Sequence, residues 1–372
     1  MAKKAKVVIY NCEEYDLQKV TDKIARIFDE FGGISNFVKN GDKVFLKPNL
    51  LSAKPPERGI TTHPVIVEAV VNLVKECGGK PVIGDSPAGA MGNIKRYWVN
   101  TGLEDLARRT NTLLVDYEGK KVVKKSVNEK EYYISGEVLD SDVIINLCKL
   151  KTHFLVLYTG AIKNIFGLIP GLRKSQYHKM FPKPEEFSEI LVDIYSLVPV
   201  GFHIMDAILC MDGNGPSSGK LKQFGYILGS DDGVALDSYC NYIMGFRDNE
   251  VLTTKIAGER GLGVSNLNNI EVIGDSVKNN DFCLPSNKYI KMIPKFLMMF
   301  IGKLIWVKPI VIDKKCVNCK KCVNICPTGA MKEGLKFPSI DYKLCINCSC
   351  CDEVCPENAI EQKLSWLAKK IS

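Results

Sequence analysis

The decisive stretch reads Cys316-Val-Asn-Cys319-Lys-Lys-Cys322-Val-Asn-Ile-Cys326-Pro327. It returns as Cys345-Ile-Asn-Cys348-Ser-Cys-Cys351-Asp-Glu-Val-Cys355-Pro356. Three thiolates two residues apart lie on one tight loop, so they can grip three corners of a cube. The fourth lies too far along to join them. In a chain that holds two [4Fe–4S] cubes this way, the fourth cysteine of each run serves the other cube. The assignment is therefore Cys316, Cys319, Cys322 and Cys355 for cluster I, and Cys345, Cys348, Cys351 and Cys326 for cluster II. Pro327 and Pro356 turn the chain away, because proline fixes φ and gives up a donor. Short helices are expected after them, at Thr328–Met331 and Glu357–Gln362.

The pattern resembles that of bacterial two-cluster ferredoxins and predicts a small α+β domain over 313–372 with a short helical tail. Zinc also takes four thiolates, but its sites usually pair two Cys-x2-Cys units without a fourth cysteine before proline. Cys350 is an extra cysteine. Only Cys351 keeps to Cys355 the spacing that Cys322 keeps to Cys326, so Cys350 reads as a small buried residue or a thiol near the cluster. The other cysteines, Cys12, Cys77, Cys148, Cys210, Cys240 and Cys283, are scattered, mostly in apolar runs, as reduced buried thiols are.

Working outward, the 372-residue chain leaves residues 1–288 for a domain with a substantial core. The formal charge is +8, and two clusters at −2 each bring it to about +4. The lysines are spread along the chain with no basic stripe, so nucleic acid is not an expected partner. Met1–Lys6 leads straight into a strand at Val7–Tyr10, so no signal peptide is expected. Free thiols and clusters both suit a reducing cytoplasm.

Strand and helix patterns alternate through the first part. Strands are expected at Lys6–Tyr10, Lys43–Lys47, Pro81–Gly84, Leu113–Asp116, Val143–Cys148, His203–Asp206, Tyr226–Leu228 and Asn269–Ile273. Amphipathic helices are expected at Tyr15–Phe31, His63–Cys77, Thr101–Arg109, Pro184–Leu197 and Gly233–Met244. Short apolar strands in this alternation predict an α/β fold, a mostly parallel sheet covered by helices. Residues 289–312 form an apolar, basic linker with Phe296–Ile301 and Trp306 between Pro294 and Pro309. It reads as a helix that docks the cysteine module; contact with a membrane surface is the alternative, and it is too short to span a bilayer.

Polar residues recur where strands end, which is where open α/β sheets place ligands. Lys47 and Asn49 follow the second strand and Asp85 the third. Lys151 and His153 follow Val143–Cys148, and Lys163 and Asn164 lie on the helix beyond. Asp206, Asp212 and Asp237 mark later strand and helix ends, and His63 caps a helix. The cations suit an anionic small molecule; Lys151, His153, Lys163 and His63 are candidate proton donors. Lys47, Asn49, Asp85, Asn164, Asp206, Asp212 and Asp237 are candidate binding residues. No glycine-rich nucleotide fingerprint follows a strand, and no motif supports a flavin, which stays an open alternative.

The motifs Lys-Pro-Asn-Leu-Leu (47–51), Thr-Thr-His-Pro (61–64), Gly-Asp-Ser-Pro (84–87), Lys-Leu-Lys-Thr-His (149–153) and Lys-Asn-x-x-Gly (163–167) resemble the family called "domain of unknown function 362". So do Met-Asp-Gly-x-Gly-Pro (211–216) and Ser-Asp-Asp-Gly-Val-Ala-Leu-Asp (230–237). The resemblance spans roughly residues 5–275. It implies an α/β domain for which a ferredoxin-type tail is a common companion, and it names no reaction. Relay and pocket in one chain point to a ferredoxin-linked reductase. Electrons from a low-potential donor or redox partner would pass through two clusters to a substrate in the α/β domain. The alternative is an electron carrier or adaptor whose α/β domain only docks a partner enzyme.

Overall fold

A computed structural model of the chain describes residues 4–87, 90, 93–117, 120–171, 173–277, 281–286, 304 and 306–371. Four short strands alternate with helices at the start: β1 (Ala5–Asn11), β2 (Lys43–Pro48), β3 (Lys80–Gly84) and β4 (Leu113–Val115). A hairpin follows, β5 (Val122–Val127) with β6 (Lys130–Ser135). Its first strand is half exposed and lacks an apolar run, so the sequence pattern does not mark it. Then come β7 (Val143–His153), β8 (Leu157–Thr159), β9 (Phe202–Asp212), β10 (Lys220–Ser230) and β11 (Ile270–Gly274).

The sheet runs β11-β1-β10-β9-β7-β2-β3-β4, with β8 paired to the end of β7. The pairs β1–β11, β9–β7, β7–β2, β2–β3 and β3–β4 are parallel, and β10 lies antiparallel between β1 and β9. Neighbouring residues on a strand face opposite ways, and both faces are covered. Val8, Leu46, Ile145 and Ile204 pack under the helices Leu17–Asp29 and Pro64–Glu76. Val7, Ile9, Cys148 and Met205 pack under the helix Gly233–Ile243, and Phe45, Val82 and Ile144 under Pro184–Ser196. The α/β fold, mostly parallel and clad in helices, is the one expected.

Two strands run further than their apolar cores. β7 continues from Cys148 through His153, and β9 continues from Asp206 to Asp212. Lys149, Lys151 and Asp206 therefore sit on buried strand, not in loops. A lysine-rich tail reads as loop in sequence, but here β8 and β9 complete the ladder beside it. The helix expected at Thr101–Arg109 is two, Ile94–Asn100 and Leu103–Arg109, broken at Gly102, whose φ is +76°.

In the cysteine module, β12 (Val307–Val311) pairs with β15 (Ile360–Leu364), and β13 (Met331–Lys332) with β14 (Ser339–Ile340). The helices are Lys321–Ile325 and Cys350–Glu353. They precede the fourth cysteine of each run and do not follow the prolines, which corrects the expectation at Thr328–Met331 and Glu357–Gln362. One helical turn links the third cysteine to the fourth, and proline then stops it. The two runs share a backbone. Asn318 and Asn347 have φ of +50° and +52°, and Lys320 and Ser349, which open the helices, +61° and +66°. Most of the expected linker helix lies outside the described residues. Its end, Val307–Val311, is strand β12.

No helix among the described residues is long and apolar enough to cross a membrane. None of the fifteen cysteines is paired in a disulfide; Cys283 is exposed and Cys77 half-buried, whereas Cys12, Cys148, Cys210, Cys240 and Cys350 are buried as expected.

Candidate functional site

The carboxyl ends of β2, β3 and β7 meet at one edge of the sheet, and the cysteine module sits on that edge. A cavity of about 70 Å³ lies between them. Its floor is Lys47, Asn49, Asp85, Lys163, Asn164 and His178; its roof is Ile325, Cys350, Glu353 and Val354.

The floor is wired by buried polar contacts. Lys47 is fully buried, with Nζ 2.8 Å from Asp85 Oδ2, and it donates to the Pro48 carbonyl at 2.7 Å. Asp85 also accepts from the Leu50 and Ser86 amides at 2.8 and 2.7 Å. Burial still pulls Lys47 below the ordinary lysine value, although Asp85 opposes it. Asn164 donates to Asn146 Oδ1 at 2.7 Å and accepts from Asn49 at 2.9 Å. Asn49 in turn accepts from Lys151 Nζ at 2.9 Å, and Lys151 also donates to the Ile60 carbonyl at 2.6 Å. Burial holds Lys151 well below its usual range, and Lys163 lowers it further. Lys174 donates to the Ser86 and Ile169 carbonyls.

Two floor groups lack such ties. Among the described residues no side-chain hydrogen bond involves Lys163 Nζ, and the buried Nδ1 of His178 has no partner. Burial lowers the Lys163 pKa. The His178 ring stacks on Phe187 with centroids 4.1 Å apart, and burial pushes its pKa down to about 4.

His153 reaches the site through the roof. Its Nδ1 accepts from the Leu155 amide at 3.1 Å and the Val156 amide at 3.4 Å. The hydrogen is therefore on Nε2, which faces Glu353 Oε1 at 3.3 Å. Burial takes the His153 pKa down to about 3, so the ring is neutral. Burial alone would raise Glu353; the His153 hydrogen bond and the Lys163 cation outweigh it, and the carboxyl settles at about 2. Ser218 bonds Asp352 at 2.5 Å and Lys54 bonds Asn358, which pins the module on either side.

The remaining sequence candidates lie elsewhere. Asp206 is 2.8 Å from Lys149 Nζ and accepts from Tyr15 Oη at 2.8 Å and the His63 amide at 2.9 Å. His63 caps its helix, stacks on Tyr15 at 3.6 Å and is held near pKa 4 by burial. Asp237 accepts from the Ala161 and Ile162 amides at 2.6 and 2.9 Å; burial raises it to about 7. Asp212 accepts from the Cys283 amide at 3.0 Å. These groups anchor the strands and helices that carry the floor. Sequence reasoning missed Glu353, His178 and Lys174. Glu353 is hidden inside a cysteine run, and His178 and Lys174 lie on Arg173–Met180, a helix without an apolar stripe.

The thiols gather in two places. Cys316, Cys319, Cys322 and Cys355 line one small hollow. Cys326, Cys345, Cys348 and Cys351 line another, with Cys350 beside them. Amides point at the sulfurs: Asn318 N to Cys316 at 3.4 Å, Met331 N to Cys326 at 3.4 Å and Ala359 N to Cys355 at 3.2 Å.

Residues 309–332 match a 4Fe-4S binding domain. With that module on an α/β domain, the chain is an iron–sulfur protein of ferredoxin type with an electron-transfer role. Residues 44–241 match the family described as "Domain of unknown function (DUF362)", and the chain belongs to that family. The thylakoid-associated protein sll1697 of Synechocystis sp. is 35% identical over 255 residues, covering 68% of this chain and 78% of that protein. Among solved structures, the lactate racemase apoprotein of Thermoanaerobacterium thermosaccharolyticum superposes with a TM-score of 0.42 at 12% identity, covering 64% of this chain and 57% of the other. A Thermotoga maritima protein gives 0.35 at 11% identity, covering 54% and 52%. The chain thus spans only a little over half the length of these two proteins.

Proposed function

We propose that this protein is a ferredoxin-linked reductase of a small anionic molecule. The carrying observation is the roof: the cysteine module closes over a strand-end cavity where Lys47, Asn49, Asp85, Lys163 and Asn164 converge. Bound [4Fe–4S] clusters supply electrons one at a time. Cys316, Cys319, Cys322 and Cys355 would hold one, and Cys326, Cys345, Cys348 and Cys351 the other. The fit is supported by two hollows, each lined by four thiols from both runs. The amide bonds to Cys316, Cys326 and Cys355 stabilise negative charge on sulfur.

The floor does the binding. Lys163 Nζ, free of hydrogen bonds among the described residues, is the anion contact and the first proton donor, since burial makes it a stronger acid than an ordinary lysine. His178 lines the same space. His153 donates from Nε2 to Glu353 and so positions the roof. Leu50, Phe166, Ile325 and Val354 exclude water. At about 70 Å³ the cavity has room for a few heavy atoms, whereas a flavin needs several hundred; the residues do not fit a flavin here. We divide the chain into 1–288, 289–312 and 313–372. A cytoplasmic location is supported by the unpaired, mostly buried cysteines outside the two runs.

The small volume also favours a second reading, an adaptor whose α/β domain docks a partner and does no chemistry. Anaerobic iron and sulfide analysis with EPR of the dithionite-reduced protein separates them when small carboxylates and oxyanions are added. About eight irons, and an anion that alters the EPR signal in wild type but not in Lys163→Ala, support the reductase. Eight irons with no response to any anion favour the adaptor. Zinc with no EPR signal removes both.

A further inference from the structure

The two thiol sets differ in what surrounds them. Cys348 and Cys350 are buried, and Cys350 lines the cavity against the α/β domain. Cys319, in the other set, is exposed. Around it are apolar side chains in solvent: Val317 is 63% exposed, Leu335 103% and Phe337 41%. They belong to one surface, because Asn318 Nδ2 ties the Cys316–Cys319 loop to the Gly334 and Leu335 carbonyls at 3.3 and 3.4 Å.

Lysines outnumber the outward-facing acids beside this patch. Residues 313–357 hold seven lysines and six acids, but two of the acids, Asp352 and Glu353, are turned into the α/β domain. That leaves seven lysines against Asp313, Glu333, Asp341 and Glu357. Lys320 pairs with Glu333 at 2.6 Å and Lys315 with Glu361 at 3.0 Å. Lys314 and Lys336 have no ionic partner among the described residues, and both are exposed. An apolar centre inside a charged rim is the anatomy of a protein interface.

We infer that this face, Val317, Leu335 and Phe337 flanked by the unpaired Lys314 and Lys336, docks a small acidic electron-carrier protein. Complementary charge speeds encounter and sets orientation, while the apolar centre supplies contact. The inference rests on the electron-transfer reading above. A carrier of acidic surface would meet the exposed Cys319 side, leaving the buried side to the cavity.

The test is binding of the full chain, purified anaerobically, to an acidic plant-type [2Fe–2S] ferredoxin, with a basic c-type cytochrome as the opposite-charge control. The expected result is binding of the ferredoxin alone, weakening steeply with salt. The double variant K314E/K336E is expected to bind about tenfold more weakly, mainly through a slower on-rate. Leu335→Asp is expected to raise the off-rate, and K124E, on the distant β5, to change nothing. Unchanged affinity in K314E/K336E, or a preference for the cytochrome, overturns the docking face but leaves the electron-transfer reading standing. A wild-type chain without iron–sulfur absorbance overturns both.

Discussion

His153 Nε2 stands 3.3 Å from Glu353 Oε1, a hydrogen bond that joins the end of β7 to the cysteine module across 200 residues of chain. Both partners are otherwise committed. The ring's Nδ1 takes two backbone amides, and the carboxylate faces Lys163. His153→Ala leaves those amides and the carboxylate short of a partner, at about 1–3 kcal/mol. The expected outcome is a lower Tm, unchanged iron content and impaired turnover of any substrate found. Wild-type Tm and turnover would remove His153 from both roles.

The ligand sets make separate predictions. Cys319→Ala and Cys348→Ala should each lose one cluster, so each should retain about half the wild-type iron. Retention of both clusters by EPR in either variant refutes the assignment. Cys350→Ala should keep the full complement.

Lys47 and Asp85 form a buried ion pair with almost no exposure. Removing one partner strands the other, which costs about 3–5 kcal/mol, whereas replacing both by neutral groups is far milder. Asp85→Ala should therefore destabilise strongly, and K47M/D85N should be less harmful than Asp85→Ala alone. Chemical denaturation of the set checks this; equal losses in single and double variants would contradict it.

Gly167 gives the last residue of the Lys-Asn-x-x-Gly motif a physical reason. A Cβ there would lie 2.3 Å from Asp85 Oδ1 and 2.7 Å from Lys47 Nζ. Gly167→Ala should push this pair apart and cost about 1–3 kcal/mol. The readout is Tm against wild type; Gly171→Ala, where a Cβ meets nothing but φ is +60°, reports the cost of backbone strain alone.

The chain has four histidines, and burial lowers all of them, to about 4 at His63 and His178 and about 3 at His153 and His203. Their ordinary value is 6.5. The unfolded chain therefore binds protons first as pH falls, and stability is lost from about pH 6.5 downward. At pH near 5.5 each histidine should cost roughly 1.4 kcal/mol relative to neutral pH. Asp237, which burial holds near 7, takes up a proton in the folded chain over the same range and offsets part of this loss. Between about pH 7.5 and 5.5 the change in Tm of His178→Phe should therefore lack the His178 part of the loss; an identical pH response in the variant and wild type would show the ring to be charged or exposed.

The legible part of this protein is what short spacing encodes. Cysteine intervals fix two loops, and β-strand alternation fixes the sheet. The motif residues Lys47, Asp85, Lys163 and Asn164 do converge, because each follows or flanks a strand that ends at the same edge. The roof was not legible. Nothing local to Cys351-Asp-Glu says that Glu353 turns towards His153. Asp206 and Asp237 looked like ligands because a buried carboxylate and a functional one share a signature; Lys149 and the Ala161 and Ile162 amides use them up.

The floor of the cavity is complete at His178, whereas its roof begins at Ile325. Domains fold as units during synthesis, amino-terminal parts first. A nascent chain thus passes through a stage in which the sheet has formed and its lysines and His178 still stand in water. The pocket comes into being only when the cysteine module, made after the floor, settles on it. Assembly of the thiol cages and closure of the site are therefore one late event in the life of the molecule.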